Sequence, residues 1–181
     1  IKKVGVIPDG GGWRIHGRGS AHAKTVDRGK KRGTRTGYVY LHSIVDGFSR
    51  LAYTEALPDE KAVTAIGFMH RARVFFAAHG TTRISRIVTD NGSCYRSKAF
   101  NKALKDTHIT HKYTRPYTPK TNGKVERFNR TLAIEWAYRQ VFTSSAHRQD
   151  ALAPWLEYYN TERGHAALGG HPPMNRVPPT S

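Results

Sequence analysis

Two acidic residues occupy positions where side chains commonly leave the packed part of a fold. Asp90 follows a predicted buried strand that ends in Ile-Val-Thr at residues 87–89, and it precedes an Asn-Gly turn. Glu126 lies early in a predicted helix, and residues 91–125 separate the two acids. Carboxylate oxygens are the ligands that Mg²⁺ and Mn²⁺ prefer. Two such ions about 3.5–4 Å apart can activate an attacking oxygen and stabilise a leaving oxygen at phosphorus.

Taken singly, each acid also has an ordinary structural interpretation. An Asp in an Asp-Asn-Gly sequence is usually a turn residue. A Glu in the first turns of a helix usually interacts with the positive end of the helix dipole. The catalytic interpretation therefore requires a fold that brings Asp90 and Glu126 together.

The helix predicted over residues 122–140 has one apolar face. At about 100° per residue, Val125, Phe128, Leu132 and Trp136 fall on the same side of it. Glu126 lies at the edge of that face, so we expect packing to hold it while its carboxylate stays open to a groove. The side chains further round the helix, and one in the loop before it, suit contacts with a phosphate backbone. They are Lys120, Asn122, Lys124, Arg127 and Arg130.

The composition is strongly basic. Thirty Lys and Arg residues stand against thirteen Asp and Glu residues, which gives a net charge of +17 over 181 residues. Such a charge predicts a polyanionic partner, most simply nucleic acid, with a ribosome-associated protein or a solvated basic face as alternatives. A hydrophobic content of 38% is typical of a globular domain, and no apolar run approaches the roughly 20 residues that span a bilayer.

Residues 1–36 combine the end of a first strand with a glycine turn and a basic segment. The segment shows neither a strand period nor a helix period, so we expect a long loop that follows a phosphate backbone. Its predicted DNA contacts are Arg14, Arg18, Lys30, Lys31 and Arg32. The glycine turn at Asp9 lacks the spacing of a phosphate-binding P-loop.

The remaining elements predict an α/β fold with a mixed sheet and helices against it. Asp59 is the predicted cap and Gly80 the predicted stop of the first long helix, and Ser97 is the predicted cap of a shorter one. The strands are predicted at residues 38–45, 50–56, 83–89 and 108–113, and the long helices at residues 60–79, 122–140 and 146–160, the last kinked at Pro154. Residues 161–181 are predicted to be irregular.

Cysteine and histidine offer no zinc chemistry. A single cysteine, Cys94, cannot form an internal disulfide, fits a reducing cytosol, and is predicted to be a small packed side chain near Asp90. His108 and His111 stand three apart on a predicted strand and therefore point to opposite faces. We expect no zinc site.

Several motifs resemble the catalytic core of retroviral-type integrases and bacterial insertion-sequence transposases. The likeness covers most of residues 37–175 in order. The motifs are Thr-Asp-Asn-Gly at 89–92, Pro-Tyr-x-Pro-x-x-Asn-Gly-x-Val-Glu-Arg-x-Asn-Arg at 116–130, Val-Asp-Gly-Phe-Ser-Arg at 45–50, and Tyr-Tyr-Asn-x-x-Arg-x-His-x-x-Leu at 158–168.

The resemblance implies a ribonuclease H-like fold and two-metal phosphoryl transfer on DNA ends, with a 3′-hydroxyl or water as nucleophile. Asp90 would be the second and Glu126 the third metal carboxylate, holding two Mg²⁺ or Mn²⁺ ions. The implied partners are element ends and target DNA, and a homo-oligomer of at least two chains, in a bacterial, nucleoid-associated cytoplasmic setting. A nuclease of the same fold and a non-catalytic DNA-binding remnant are the alternatives.

The first acid of the family lies on the first strand, and no acid precedes Asp9 in this sequence. Asp9 lies in a turn after that strand, and Asp46 lies in a turn that is not a metal site in the family. We therefore expect the chain to begin just after its first catalytic Asp and to be a poor catalyst by itself. We expect the catalytic core to span residues 1–165, with an irregular tail at 166–181.

Overall fold

The computed structural model describes residues 1–21, 24, 37–115 and 122–177. Its strands form an antiparallel sheet in the order β1-β2-β3 and a parallel pair, β4-β5. The strands are β1 (Lys2–Gly5), β2 (Tyr38–Val45), β3 (Ala52–Leu57), β4 (Arg86–Thr89) and β5 (Thr110–Tyr113). Both strand orientations occur, as a mixed sheet requires, but the hydrogen bonds divide these strands into two sheets rather than one.

Helices pack against both sheets. They are α1 (Trp13–His16), α2 (Ala62–Ala78), α3 (Ser93–Arg96), α4 (Lys98–Asp106), α5 (Gly123–Leu132), α6 (Ser145–Asp150) and α7 (Leu152–Thr161). A π-helical turn at Ala133–Ala137 extends α5, and 3-10 turns lie at Ala166–Leu168 and Pro173–Arg176. Of the helices in the described ranges, none has the length and apolar character to cross a membrane.

The predicted apolar face of α5 lies in the larger core cluster. Phe128, Leu132 and Trp136 are buried, whereas Val125 at the start of the helix is half-buried. The Phe128 ring meets the Tyr159 ring of α7 edge to face, with 5.0 Å between ring centroids. Val4 of β1 and Leu41 of β2 complete the contact with the antiparallel sheet. The helical period therefore predicted this part of the core correctly.

A second core cluster joins α2 and α4 to the parallel strands. Ile87 of β4, Phe100 of α4 and Met69 of α2 belong to it, and the predicted packing of Cys94 is confirmed there. The i, i+3 spacing of Val63, Ile66 and Met69 or His70 in the sequence predicts the apolar face of this helix. The prediction is wrong for Val63, because its side chain is 73% exposed. The buried stripe of α2 runs instead through Ala65, Phe68, Met69, Ala72 and Phe76.

Two of the three predicted helix ends are confirmed. The prediction for Asp59 is wrong, because α2 begins at Ala62 and its N-cap is Lys61. Asp59 Oδ1 instead accepts hydrogen bonds from the Lys61 N–H at 2.9 Å and from the Thr64 hydroxyl at 2.6 Å, just before and within the first turn. Gly80 has a φ of +79°, the left-handed conformation in which glycine ends helices. Ser97 Oγ accepts the Phe100 N–H at 3.1 Å at the start of α4.

Pro154 does not kink a helix, contrary to the prediction. The segment forms two helices, α6 and α7, and the break falls at Ala151. Pro154 then occupies the third position of α7, within the first turn. Backbone N–H groups of a first turn have no partner within their own helix, so a proline is tolerated there.

Residues of the motif at 158–168 connect separate parts of the fold. Asn160 is buried at the end of α7, and its side-chain amide pairs with both the N–H and the carbonyl of Ala52 at 2.9 Å. Arg163 forms a two-pronged ion pair with Glu135, at 2.8 and 2.7 Å. Residues 166–177, predicted as part of an irregular tail, contain the two 3-10 turns and bury Leu168. The domain boundary after residue 165 stays a prediction.

Replacing Asn160 with Ala is expected to lower the free energy of unfolding by about 2–4 kcal/mol, because both backbone groups of Ala52 lose their partner in a buried site. Urea denaturation followed by circular dichroism measures the change. Asn175→Ala, at an exposed position, is the matched control and is expected to stay within about 0.5 kcal/mol. Equal effects in the two variants would refute the bracing role of Asn160.

His42 makes folding stability depend on pH. Its ring is buried, Nε2 pairs with the Asp59 carbonyl at 2.8 Å, and Nδ1 has no described partner. Burial lowers the pKa of His42 below its ordinary 6.5. The unfolded chain therefore takes up a proton near pH 6.5, whereas the folded chain takes it up only at a lower pH. Stability is therefore lost as the pH falls below about 6.5.

The pH dependence of unfolding is expected to become shallower in His42→Gln. One proton fewer is then taken up on unfolding, which reduces the slope by up to about 1.4 kcal/mol per pH unit. Urea midpoints between pH 7.5 and 5 measure this. His111 and His165, whose pKa values burial also lowers, should supply the remaining slope. Identical slopes in the wild type and the variant would exclude His42 as a contributor.

Candidate active site

Asp90 lies exposed immediately beyond the end of β4. Its Oδ1 accepts the Gly92 N–H at 2.9 Å, which closes the predicted turn. Asn91 donates its side-chain N–H to the Thr114 carbonyl at 3.1 Å and so ties the turn to the residue after β5. Within the described ranges, no other group donates a hydrogen bond to the Asp90 carboxylate. One of its oxygens is therefore available to a ligand.

A half-buried hydrogen-bond network supports the backbone of Asp90. The Thr89 hydroxyl donates to the Asp90 carbonyl at 2.9 Å and lies 2.8 Å from Nε2 of His111. Nδ1 of His111 lies 2.8 Å from Oδ1 of Asn101 on α4. Burial lowers the pKa of His111 below its ordinary value. The sequence predicted only that His108 and His111 point to opposite faces of one strand, and β5 begins after His108, at Thr110. The supporting role of His111 was missed because its partners are distant in sequence.

The turn between β2 and β3 lies on the other side of the same site. Oδ2 of Asp46 accepts the Phe48 N–H at 3.0 Å, the Ser49 N–H at 2.6 Å and the Ser49 hydroxyl at 2.8 Å. These three bonds account for Asp46 as a turn residue. Asp9, the other weak candidate for the first acid, is exposed in the turn after β1.

A cavity of about 440 Å³ connects these elements, and we call it the Asp90 cavity. Asp46 and Gly47 line it from the β2–β3 turn, Asp90 from β4, and Asn122 and Lys124 from the start of α5. Its floor is apolar and is formed by Ile44, Phe68, Met69, Ile87 and Phe100. The fold thus brings Asp90 to the N-terminal end of the helix that carries Glu126.

Glu126 itself lines a neighbouring groove of about 710 Å³, together with Arg127, Arg130 and Arg163. Gly123 borders both this groove and the Asp90 cavity. The Glu126 side chain is exposed and forms no ion pair or hydrogen bond with any described residue. In the same ranges, no three or more His, Cys, Asp or Glu side chains converge as a metal cluster would.

The donor types at the two acids fit a hard cation. Asp90 has an uncommitted oxygen beside the cavity, and Glu126 is not neutralised by a basic partner. Both are oxygen donors, and Mg²⁺ is usually held by one or two carboxylates while it keeps several waters. Asp90 and Glu126 could therefore hold the ion, each from its own side of Gly123.

The predicted DNA-binding residues separate into three groups. On α5, Lys124, Arg127 and Arg130 are exposed, and Lys124 also donates to the Gly47 carbonyl at 2.7 Å. Asn122 is half-buried at the N-cap of that helix. Four of the predicted contacts lie outside the described residues: Lys30, Lys31, Arg32 and Lys120.

The third group lies in the loop after β1 and is more ordered than the sequence predicts. Arg14 donates to the carbonyls of Tyr138 and Gln140 at 3.1 and 3.3 Å, so it anchors the loop to the end of the π-helical turn. The Arg18 guanidinium lies 4.6 Å from the centre of the Trp13 ring. Both arginines remain exposed, so phosphate contact stays a prediction for each.

Comparison with known protein families gives two matches of the same description. One model of the "Integrase core domain" matches residues 22–119, and a second model with that description matches residues 107–173. The first alone covers more than half of the chain.

Curated relatives and solved structures agree with the family matches. The insertion element IS476 uncharacterized 39.2 kDa protein of Xanthomonas euvesicatoria is 35% identical over 85 residues, which are 47% of this chain and 25% of that protein. The chain spans less than half of the length of the curated relatives that it matches first.

Two solved structures show the same fold. One is a chain of the simian T-cell lymphotropic virus intasome in complex with the PP2A regulatory subunit B56 gamma. It superposes with a TM-score of 0.62 at 25% identity, over 81% of this chain and 54% of that one. The other is the HTLV-2 integrase catalytic core domain in complex with magnesium. It superposes with a TM-score of 0.54 at 19% identity, over 79% of this chain and 87% of that one. The predicted ribonuclease H-like fold is confirmed.

Proposed function

The chain belongs to the integrase core domain family, and from that premise we propose that it carries out DNA integration or transposition by metal-dependent phosphoryl transfer. The observation that carries this proposal is the position of Asp90. Asp90 lines a cavity that the start of the Glu126 helix also lines, and its carboxylate keeps one oxygen free.

Asp90 and Glu126 hold Mg²⁺ or Mn²⁺ in this proposal. When bound, a pair of such ions would activate the attacking oxygen, a 3′-hydroxyl or water, and stabilise the leaving oxygen. The magnesium in the HTLV-2 core domain, which has the same fold, supports the choice of metal. The hydrogen bonds of the turn keep the Asp90 carboxylate directed outward, and the packed face of α5 keeps Glu126 at the groove.

The basic side chains of α5 hold the DNA. Lys124 lies between the Asp90 cavity and the β2–β3 turn, and Arg127 and Arg130 lie beside Glu126 in the groove. Cations in that arrangement can fix a phosphate backbone in register without reading its sequence. The proposed partners are element ends and target DNA. A homo-oligomer and a bacterial, nucleoid-associated location in the cytoplasm are part of the same proposal.

Asp90→Asn and Glu126→Gln are each expected to reduce strand transfer at least about 100-fold, because each removes a metal carboxylate. The assay follows Mg²⁺-dependent joining of a labelled 3′-hydroxyl end to plasmid DNA, in a chain extended upstream of Ile1. Asp150→Asn and Glu157→Gln change equally exposed carboxylates and are the isosteric controls. DNA binding is expected to persist in all four variants.

The same assay separates the alternatives. Cleavage without joining would indicate a nuclease of the same fold. Binding without any chemistry in the extended chain would indicate a non-catalytic DNA-binding protein. Activity that survives either Asp90→Asn or Glu126→Gln would show that the assignment of the metal carboxylates is wrong.

Arg127→Ala is expected to weaken DNA binding uniformly across sequences. When one phosphate contact is lost, about one counterion fewer is released from the DNA on binding. The slope of log K against log salt concentration should therefore decrease in magnitude by about one. Fluorescence anisotropy at several salt concentrations measures both quantities. Arg83→Ala, at an exposed position between α2 and β4, is the matched control. An equal loss of DNA affinity in that variant would show that α5 is not a specific DNA contact.

A further inference from the structure

The tip of the β2–β3 turn presents a large apolar side chain to solvent. Phe48 is 65% exposed, more than any other phenylalanine or tyrosine among the described residues. Most of the other described aromatic side chains pack in clusters, for example Phe128 against Tyr159 and Tyr53 against Phe75. Burial of this ring would be favourable, yet the fold leaves it exposed to solvent.

The backbone under Phe48 is rigid. Its N–H donates to Asp46, the same carboxylate oxygen that accepts two bonds from Ser49. On the preceding residue, the Gly47 carbonyl accepts the Lys124 ammonium at 2.7 Å. The backbone that carries the ring is therefore fixed before any partner arrives, which reduces the entropy that binding must offset.

The surroundings of the ring are cationic. The Arg176 guanidinium lies 4.8 Å from the centre of the Phe48 ring and covers part of it, while the rest of the ring remains open. Lys124 supplies a second positive charge on the other side of Gly47. Gly47, the residue before Phe48, lines the Asp90 cavity, so the turn that carries the ring borders the proposed site of chemistry.

We propose that Phe48 is a base-stacking residue that holds an unpaired nucleobase beside the phosphate at Asp90. The proposal rests on the proposed function and adds a positioning residue to it. The open part of the ring would stack on the base, with Arg176 on the other side, and Lys124 would meet the backbone of the same strand. Stacking on aromatic rings combined with positive charge is how proteins hold single-stranded nucleic acid.

Charge favours a nucleobase over a protein at this position. A second copy of the chain would bring another net charge of +17 against Arg176 and Lys124. A DNA strand brings phosphates to the same cations and a flat π-face to the ring. An unpaired base at a DNA end is thus the occupant that satisfies both features.

The test compares two short duplexes of one sequence, one fully paired and one with its terminal pairs mismatched so that the end is splayed. A 2-aminopurine at the splayed position reports stacking by loss of fluorescence, and anisotropy gives affinity. Phe48→Ala is expected to weaken binding of the splayed duplex about tenfold, to change binding of the paired duplex little, and to abolish the quenching. Phe48→Trp should retain both signals.

Val63→Ala, at a position 73% exposed on α2, is the matched control and should behave as the wild type. If Phe48→Ala binds both duplexes as the wild type does, the stacking proposal fails while the proposed function stands. If the wild-type chain binds neither duplex, both fail. If sedimentation shows that Phe48→Ala loses self-association but keeps the preference for the splayed duplex, the ring belongs to a contact between chains and the proposal is overturned.

Discussion

The packing of α5 against α7 is the interaction on which the candidate site depends. Phe128, Leu132 and Trp136 bury one face of the helix in the larger core cluster. Each such side chain contributes about 1.5–3 kcal/mol when fully buried, so together they fix how far α5 is rotated about its axis. That rotation decides where Lys124 and Glu126 point. This packing, together with the hydrogen bond from Lys124 to the Gly47 carbonyl, positions the helix, and the Glu126 carboxylate, which forms no hydrogen bond with a described residue, stays available to a ligand.

Asp90 is positioned by a different kind of force. Its turn has no apolar face, and hydrogen bonds to Gly92, to Thr114 through Asn91, and to Thr89 hold it in place. Its strand belongs to the second core cluster. Strand β2 links the two clusters, because Leu41 packs in the first and Ile44 packs against the second. The relative position of the two acids therefore depends on one strand that contributes to both cores.

Local patterns were sufficient for some features of this molecule and insufficient for others. The helical period of Phe128 and Leu132, the cap at Ser97 and the stop at Gly80 depend on neighbouring residues, and the structure has all of them. Val63 fits the same period but is exposed. The distant strands, and not the helix itself, decide which face of α2 is buried. The division into two sheets is likewise a matter of long-range pairing.

The candidate site shows the same division between local and distant contacts. The turns at Asp46 and Asp90 could be predicted because Asx turns are local. The contacts of His111 with Thr89 and of Arg14 with the end of the π-helical turn could not, since they join residues far apart in sequence. The resemblance to integrase cores came from whole motifs, which carry information that periodicity does not.

The side chain of Asn160 has a consequence beyond bracing α7. Strand β3 is the last strand of the antiparallel sheet, so one of its margins has no neighbouring strand in the part of the chain that the structure describes. Asn160 occupies that margin at Ala52, donating and accepting as a peptide group of another strand would. Unpaired strand margins invite intermolecular β-pairing and aggregation. The Asn160 side chain thus prevents a strand of another molecule from pairing with the start of β3. This matters in a protein whose proposed function brings several copies together.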